Sequence, residues 1–184
     1  MNRLEEKYRN TIRQELKEEL ELKNINQVPN LDKIVINAGV GRAVNDSKHL
    51  DVAVDTLTKI TAQKPVITKA KHSIASYKLR ENNPIGAKVT LRGDRMWYFL
   101  DRLISVVIPR MRDFRGLSNK SFDPQGNYSI GINDQTVFTE ISFNDASATH
   151  GLQVNIVTTS NSKEDSMALM RKLGLPLEKG ENNG

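Results

Sequence analysis

The sequence predicts an α+β domain with a mainly antiparallel sheet, helices packed on one face of that sheet and the other face open. Three observations support this fold class. Segments with apolar residues at helical spacing are interspersed with short segments in which apolar and polar residues alternate. The strand-like segments often follow one another directly, as antiparallel strands do. One of them is apolar on one face and basic or polar on the other, which is typical of a sheet with a free face.

The chain begins with a predicted helix and strand. An apolar residue recurs at every fourth position among charged residues at Leu4, Tyr8, Ile12, Leu16 and Leu20. The stretch LDKIVINAGVG, residues 31–41, then places Ile34 and Ile36 on one face of a strand. The opposite face carries Lys33, Val35 and Asn37.

A second helix and a basic hairpin follow. Candidate cap residues Asn45, Asp46 and Ser47 precede apolar positions Leu50, Val54, Leu57 and Ile60. The runs PVITKAK, residues 65–71, and GAKVTLRG, residues 86–93, predict two strands joined by a long exposed connection. On the second strand, Ala87, Val89 and Leu91 face the core, while Lys88, Thr90 and Arg92 face outward.

The second half predicts one buried helix, three strands and a final helix. The helix covers residues 94–108 and stops at Pro109. A loop over residues 110–127 leads to strands at residues 128–132, 136–143 and 152–160. The last helix begins at Ser162 and ends before Gly174. We therefore expect a single domain over residues 1–177, followed by a disordered tail at residues 178–184.

Positive charge is concentrated in the hairpin. Residues 64–95 contain eight Lys and Arg against two acids, whereas the segment before them is neutral and the segment after them has a net charge of −1. This one segment accounts for the formal net charge of +5 of the whole chain. Such a local excess of positive charge indicates a polyanionic partner, of which nucleic acid is the commonest.

The sequence provides few candidates for catalysis. His49, His72 and His150 are isolated from one another, and the glycine pattern after the first strand fails because Val44 stands where a dinucleotide loop needs Gly or Ala. There is no cysteine, secretion signal or apolar run of membrane-spanning length, so we expect a cytoplasmic protein with no metal or cofactor.

Polar residues next to the basic strands predict RNA binding. Asn37, Gln63 and Thr90 converge if the predicted strands pair, and their side chains donate to phosphate, ribose and base edges. Tyr77 is the sole aromatic residue of the basic segment. We therefore favour contact with the backbone and shape of a folded RNA over stacking on single-stranded bases.

Four long blocks of the sequence resemble a known family: residues 28–44, 57–93, 95–132 and 155–160, with LMRKLGLPL at residues 169–177. They are similar to the bacterial large-subunit ribosomal proteins that bind 5S ribosomal RNA. One departure is Ala62, where this family commonly has glycine. The resemblance implies a non-enzymatic ribosomal constituent that attaches 5S RNA to the central protuberance, in contact with large-subunit ribosomal RNA and neighbouring proteins.

The resemblance also implies roles for individual residues. Asn37, Gln63 and Thr90 would contact 5S RNA, with Lys33 and Lys88 as phosphate neighbours. The connection over residues 71–84 would reach the transfer RNA in the peptidyl site through Lys71, His72, Ser73, Lys78 and Arg80. A small-subunit head protein would meet Arg110, Arg112 and Arg115, and also residues 133–145, at an inter-subunit bridge.

Two other function classes stay open at this point. The same basic surface would serve an RNA-modifying or RNA-cleaving enzyme, and a protein scaffold with an acidic partner would also explain the charge. We further expect the connection over residues 71–84 to be mobile in the free protein.

Overall fold

The computed structural model describes residues 2–41, 47–112, 114–142 and 150–178. It confirms the α+β class, with a five-stranded antiparallel sheet and four main helices. The strands are β1 (Leu31–Gly39), β2 (Val66–Lys69), β3 (Pro84–Leu91), β4 (Tyr128–Ile132) and β5 (Leu152–Thr158). Their order in the sheet is β2-β3-β1-β5-β4.

The chain divides into two compact units. The first unit comprises Met1–Ile34, Arg92–Ile130 and Asn155–Gly184, and the second comprises Val35–Leu91 and Gly131–Val154. The expectation that residues 1–177 act as a single domain stays a prediction. Of the predicted tail, residues 179–184 lie outside the described residues.

Helix α1 of the first unit consists of three consecutive segments, Arg3–Lys7, Tyr8–Ile12 and Arg13–Glu19, the middle one being a π turn. Its predicted apolar stripe is buried from Leu4 to Leu16. The side chain of Asn2 caps the helix by accepting a hydrogen bond from the Leu4 N–H at 2.7 Å. The N-terminal helix predicted from the sequence is therefore confirmed.

Helix α3 runs further than predicted. It comprises Gly93–Arg102, a π turn at Leu103–Val107 and Ile108–Arg110, so the prediction that it stops at Pro109 is wrong. A proline crowds the preceding turn and has no N–H to donate. The wider π turn directly before Pro109 relieves that crowding, and the helix continues for one more residue.

The strand predicted at residues 136–143 is also wrong as far as residue 142, and residue 143 lies outside the described residues. The segment starts with a 3-10 helix, Gln135–Val137, because the Asp134 side chain accepts a hydrogen bond from the Thr136 N–H at 2.8 Å. Tight turns then place Phe138 and Ile141 in the core three residues apart. Buried residues three apart suit consecutive turns, whereas a strand buries alternate residues.

The last helix, α4 (Lys163–Leu173), confirms both of its predicted ends. The Ser162 hydroxyl accepts a hydrogen bond from the Asp165 N–H at 3.2 Å, which caps the first turn. Gly174 ends the helix in the left-handed conformation, with φ at 97°. The Leu175 N–H then closes the final turn by bonding to the Met170 carbonyl at 3.0 Å.

In the second unit, helix α2 (Lys48–Thr61) packs against β3. The apolar face of α2 and the inner face of β3 are buried: Leu50, Leu57, Ile60, Ala87, Val89 and Leu91. Of the predicted cap residues, Ser47 makes no side-chain cap hydrogen bond, and Asn45 and Asp46 lie outside the described residues. The helix thus leaves the outer face of β3 uncovered.

Candidate nucleic-acid interface

The polar residues predicted to converge do so within the second unit. The Val40 N–H donates to the Ile85 carbonyl at 2.8 Å, which aligns the neighbouring antiparallel strands β1 and β3. Asn37 lies three residues before Val40, and Lys88 lies three residues after Ile85, so the two come level on adjacent strands. Asn37 is half-buried and Lys88 is exposed, each between buried neighbours of its own strand. Both side chains therefore occupy the face opposite the core.

Gln63 is joined directly to the same strand. Its side-chain amide donates to the carbonyl of Thr90 at 3.2 Å. The turn that presents it is fixed by the Thr61 hydroxyl, which accepts from the Gln63 N–H at 3.3 Å. Between them, Ala62 adopts a left-handed conformation with φ at 53°. Glycine adopts this conformation without the strain that alanine carries in it.

Gly86 allows the three neighbouring strands to approach closely at this site. A Cβ atom added there would lie 2.6 Å from the Ala38 carbonyl oxygen and 2.9 Å from the Thr68 hydroxyl. These distances are shorter than side-chain carbons tolerate, so glycine is required by the space between strands. Next to it, Val66 pairs with Lys88 in the β2–β3 register and is 64% exposed. This exposed apolar residue beside a lysine was not singled out from the sequence.

Of the five residues predicted to contact 5S RNA, Lys33 falls in the first unit. It is half-buried, and its Nζ lies 3.6 Å from the Asp32 carboxylate. The group brought together in the second unit is therefore Asn37, Gln63, Lys88 and Thr90.

The basic connection is folded as an extension of the β2–β3 hairpin. Ala70 exchanges main-chain hydrogen bonds with Asn82 and Asn83, and Ile74 does so with Leu79. A 3-10 turn, Ala75–Tyr77, closes the tip. The predicted residues Lys71, His72, Ser73, Lys78 and Arg80 are all exposed.

Two features of the connection were missed by the sequence reasoning. The Ser73 hydroxyl accepts a hydrogen bond from the Glu81 N–H at 2.9 Å, so it braces the two sides of the hairpin. At the tip, the ring of Tyr77 is 74% exposed, beside Lys78 in a left-handed conformation. The tip thus offers an aromatic face as well as charge.

The arginines predicted for the bridge lie at and after the end of α3. Arg110 is the last residue of that helix, and Arg112 and Arg115 follow it; all three are exposed. Asp113 and residues 143–149 lie outside the described residues, so the second predicted bridge segment, residues 133–145, is described only as far as residue 142.

No group of three or more His, Asp or Glu side chains suited to a metal ion occurs among the described residues. In the same part of the chain, no helix is both long and apolar enough to cross a membrane.

Two family models match the chain. The one described as "Ribosomal protein L5" covers residues 24–80, and the one that describes the C-terminus of the same ribosomal family covers residues 84–177. Similar proteins named "Large ribosomal subunit protein uL5" come from Lactococcus lactis subsp. cremoris (strain MG1363), 54% identical over 178 residues, and Ligilactobacillus salivarius (strain UCC118), 55% identical over 179 residues. Both alignments cover 97% of this chain and 99% of the relative. A third, from Macrococcus caseolyticus (strain JCSC5402), is 51% identical over 97% of this chain and all of the relative.

The two models together span both units, and the relatives match the chain over almost its whole length at more than half identity. The chain therefore belongs to the uL5 family of large-subunit ribosomal proteins and is a structural, non-enzymatic constituent of the ribosome in the cytoplasm.

Proposed function

We propose that this ribosomal protein binds 5S ribosomal RNA through Asn37, Gln63, Lys88 and Thr90 on the outer face of β1 and β3. The observation that carries this proposal is that Asn37 and Lys88 come level on the outer face of β1 and β3, while the Gln63 amide bonds the Thr90 carbonyl on the same strand as Lys88. Because the family consists of structural proteins, an RNA-modifying or RNA-cleaving enzyme is not retained as an alternative. Ribosomal RNA and other ribosomal components are the partners that the family supports.

The chemistry of this face suits a folded RNA. Amide and hydroxyl groups donate to and accept from ribose hydroxyls, phosphates and base edges, while Lys88 supplies positive charge. None of the four residues is aromatic, so the face offers no stacking platform for unpaired bases. This polar sheet face therefore favours the backbone and groove of a structured RNA.

The test is the affinity for 5S ribosomal RNA compared with that for an unrelated folded RNA of equal length, each titrated across salt. Thr90→Val and Asn37→Ala should each weaken 5S binding by about 1–3 kcal/mol if the side chain bonds a buried RNA group. Thr58→Val is the matched control, because Thr58 is exposed on α2 and bonds its own helix at the Val54 carbonyl. Equal losses in Thr90→Val and Thr58→Val, or equal affinity for both RNAs, would contradict the proposal.

We further propose that the basic connection, residues 71–84, contacts the transfer RNA in the peptidyl site. Its exposed Lys71, His72, Lys78 and Arg80 lie on a hairpin that extends beyond the paired strands, while Ser73 supports the hairpin from within. The double variant Lys78→Ala with Arg80→Ala should reduce cross-linking of the protein to transfer RNA on ribosomes. Its affinity for 5S RNA should stay within a few-fold of the wild type. A tenfold loss of 5S affinity would instead assign the connection to the 5S site.

The exposed arginines that end α3 support a third contact, with a small-subunit head protein at an inter-subunit bridge. Reversing the charge at Arg112 and Arg115 should weaken association of the two ribosomal subunits, because charged surfaces at an interface set its association rate and salt dependence. The same reversal at Arg171, an exposed residue of α4, is the control. Unchanged subunit association in the Arg112 and Arg115 variant would show that these residues do not contribute to the bridge.

A further inference from the structure

The first unit contains a cleft of about 530 Å³ that shares no residue with the interface proposed above. Helix α1, the segment between α1 and β1, helix α3 and the end of β5 all contribute to its lining. Its volume lies within the range of small-ligand sites, which is roughly 300–1,000 Å³.

The floor of the cleft is aromatic and fixed. Tyr8 and Trp97 lie with ring centroids 5.5 Å apart, and Val28 also lines the cleft. The Tyr8 hydroxyl donates to the Pro29 carbonyl at 2.9 Å, which holds the ring against the segment before β1. All three side chains are at most 5% exposed. This apolar floor is therefore formed before any ligand arrives.

Two arginines form one side of the cleft. The Arg13 guanidinium donates to the Asn26 side-chain oxygen at 3.1 Å and to the Ile25 carbonyl at 3.3 Å. The Arg9 guanidinium donates to the Glu5 carboxylate at 2.6 Å. A guanidinium has five N–H donors, so each arginine keeps donors beyond these bonds. Positioned arginines of this kind suit a phosphate group.

Asn30 and Thr159 also line the cleft and are bonded to each other. The Thr159 N–H donates to the Asn30 carbonyl at 2.8 Å, and the Asn30 N–H donates to the Thr159 hydroxyl at 3.0 Å. The second carboxylate oxygen of Glu5 is buried without a hydrogen-bond partner. A buried acceptor that lacks a donor costs about 1–3 kcal/mol. The cleft therefore combines donors for an anion with an acceptor that lacks a donor.

We propose that this cleft binds an unpaired nucleotide of RNA, with its phosphate on Arg9 and Arg13 and its base over the floor formed by Tyr8, Val28 and Trp97. A bare phosphate ion would fill only a small part of the 530 Å³ cleft and would bring no donor for Glu5. An acidic peptide would satisfy the arginines and offers backbone N–H groups, but a carboxylate side chain brings no planar ring to lie against Tyr8 and Trp97. A nucleotide supplies a phosphate, an apolar ring face and base N–H groups together. The cleft then gives this protein a contact with single-stranded RNA that its sheet face does not offer.

The single tryptophan of the chain makes the proposal measurable, because Trp97 lines the cleft. Trp97 fluorescence, excited at a wavelength that nucleotides do not absorb, is followed while the full-length protein is titrated with 5′-nucleoside monophosphates. Parallel titrations use inorganic phosphate and a Glu-rich peptide. Saturable binding of the nucleotides, with weaker binding of phosphate and peptide, is the expected result. A linear change without saturation, or equal binding of the peptide, would overturn the proposal.

Variants distinguish nucleotide binding in the cleft from nonspecific attraction to the positive charge of the protein. Arg13→Ala should weaken nucleotide binding on the order of tenfold, the loss expected for a hydrogen bond to a charged group. Because Arg13 also bonds the Ile25 carbonyl, Asn26→Ala provides a second variant, and thermal unfolding is used to check that both variants fold. Arg171→Ala, which removes an exposed arginine of α4, is the control. Equal affinity in the folded cleft variants and in Arg171→Ala would refute the site.

Discussion

Replacing Gly86 with alanine tests whether the space between strands at the proposed 5S interface is as restricted as the structure indicates. The new Cβ would lie 2.6 Å from the Ala38 carbonyl oxygen and 2.9 Å from the Thr68 hydroxyl. Thr68 can rotate away, but the Ala38 oxygen belongs to the backbone of β1. Relief of that contact therefore requires β1 and β3 to separate.

The expected cost follows from these contacts. Overpacking of this kind costs about 1–3 kcal/mol. Separation of the strands would also weaken the hydrogen bond from Val40 to Ile85, which contributes about 0.5–1.5 kcal/mol. Together these give a loss of roughly 1.5–4.5 kcal/mol in the free energy of unfolding. For a chain of this size, 1 kcal/mol shifts the melting temperature by about 2–4 °C, so we expect Tm to fall by roughly 3–18 °C.

The control is Gly39→Ala at the end of β1, because no heavy atom lies within 4 Å of a Cβ added there. It should change stability by no more than about 0.5 kcal/mol. Thermal and urea unfolding, followed by circular dichroism, compare the two variants. If both variants melt within about 2 °C of the wild type, the space between the strands at Gly86 accommodates a Cβ atom, and the sheet does not require glycine there.

Two further predictions concern stability. Ala62→Gly should raise the free energy of unfolding by up to about 1 kcal/mol, because the backbone of Ala62 is left-handed. The control, Ala168→Gly inside α4, should lower the free energy of unfolding by about 1 kcal/mol. A lower free energy of unfolding for Ala62→Gly in urea titrations would contradict this prediction. Burial raises the pKa of Tyr128 to about 12, so the unfolded chain releases this proton first as the pH rises. The stability that Tyr128 contributes should be intact below pH 10 and be lost, at roughly 2–3 kcal/mol, as the pH rises through about 12. In pH-dependent unfolding, Tyr128→Phe should show a smaller fall than the wild type, and part of the fall remains because burial also raises the pKa of Tyr8. A fall in Tyr128→Phe as large as that of the wild type would refute the assignment.

Sequence periodicity correctly predicted the helices whose buried positions and end residues both fit a helix. The four-residue spacing of α1 and the Ser162 and Gly174 ends of α4 were predicted because each depends on residues close in the chain. The two errors depend on features that periodicity does not show. Asp134 starts a turn where the sequence predicted a strand, and a π turn lets a helix continue past Pro109. Both depend on how one local backbone segment adapts to its surroundings.

Of the two candidate sites, one could be predicted from the sequence and the other could not. Alternation along β1 and β3 places Asn37 and Lys88 outward whatever the details of packing, so the sequence predicted the polar face. The nucleotide cleft could not be predicted, because Arg13, Trp97 and Thr159 come from distant parts of the chain and meet only after folding. No motif in the sequence marks the arginines or the tryptophan as parts of one site. Their common function follows from the contacts between α1, α3 and the segment before β1.

The hairpin fold of the basic connection bears on its predicted mobility. Its hydrogen bonds are solvent-exposed and its apolar residues are few, so these bonds should open far more often than those of the sheet. An existing hairpin nevertheless lowers the ordering cost that a fully extended connection would meet on binding RNA. Ser73→Ala removes the acceptor of the Glu81 N–H and should speed amide hydrogen exchange across residues 71–84 while that of β3 stays unchanged. Amide protection across the connection equal to that of β3 in the free wild-type protein would show instead that the hairpin is rigid before it meets RNA.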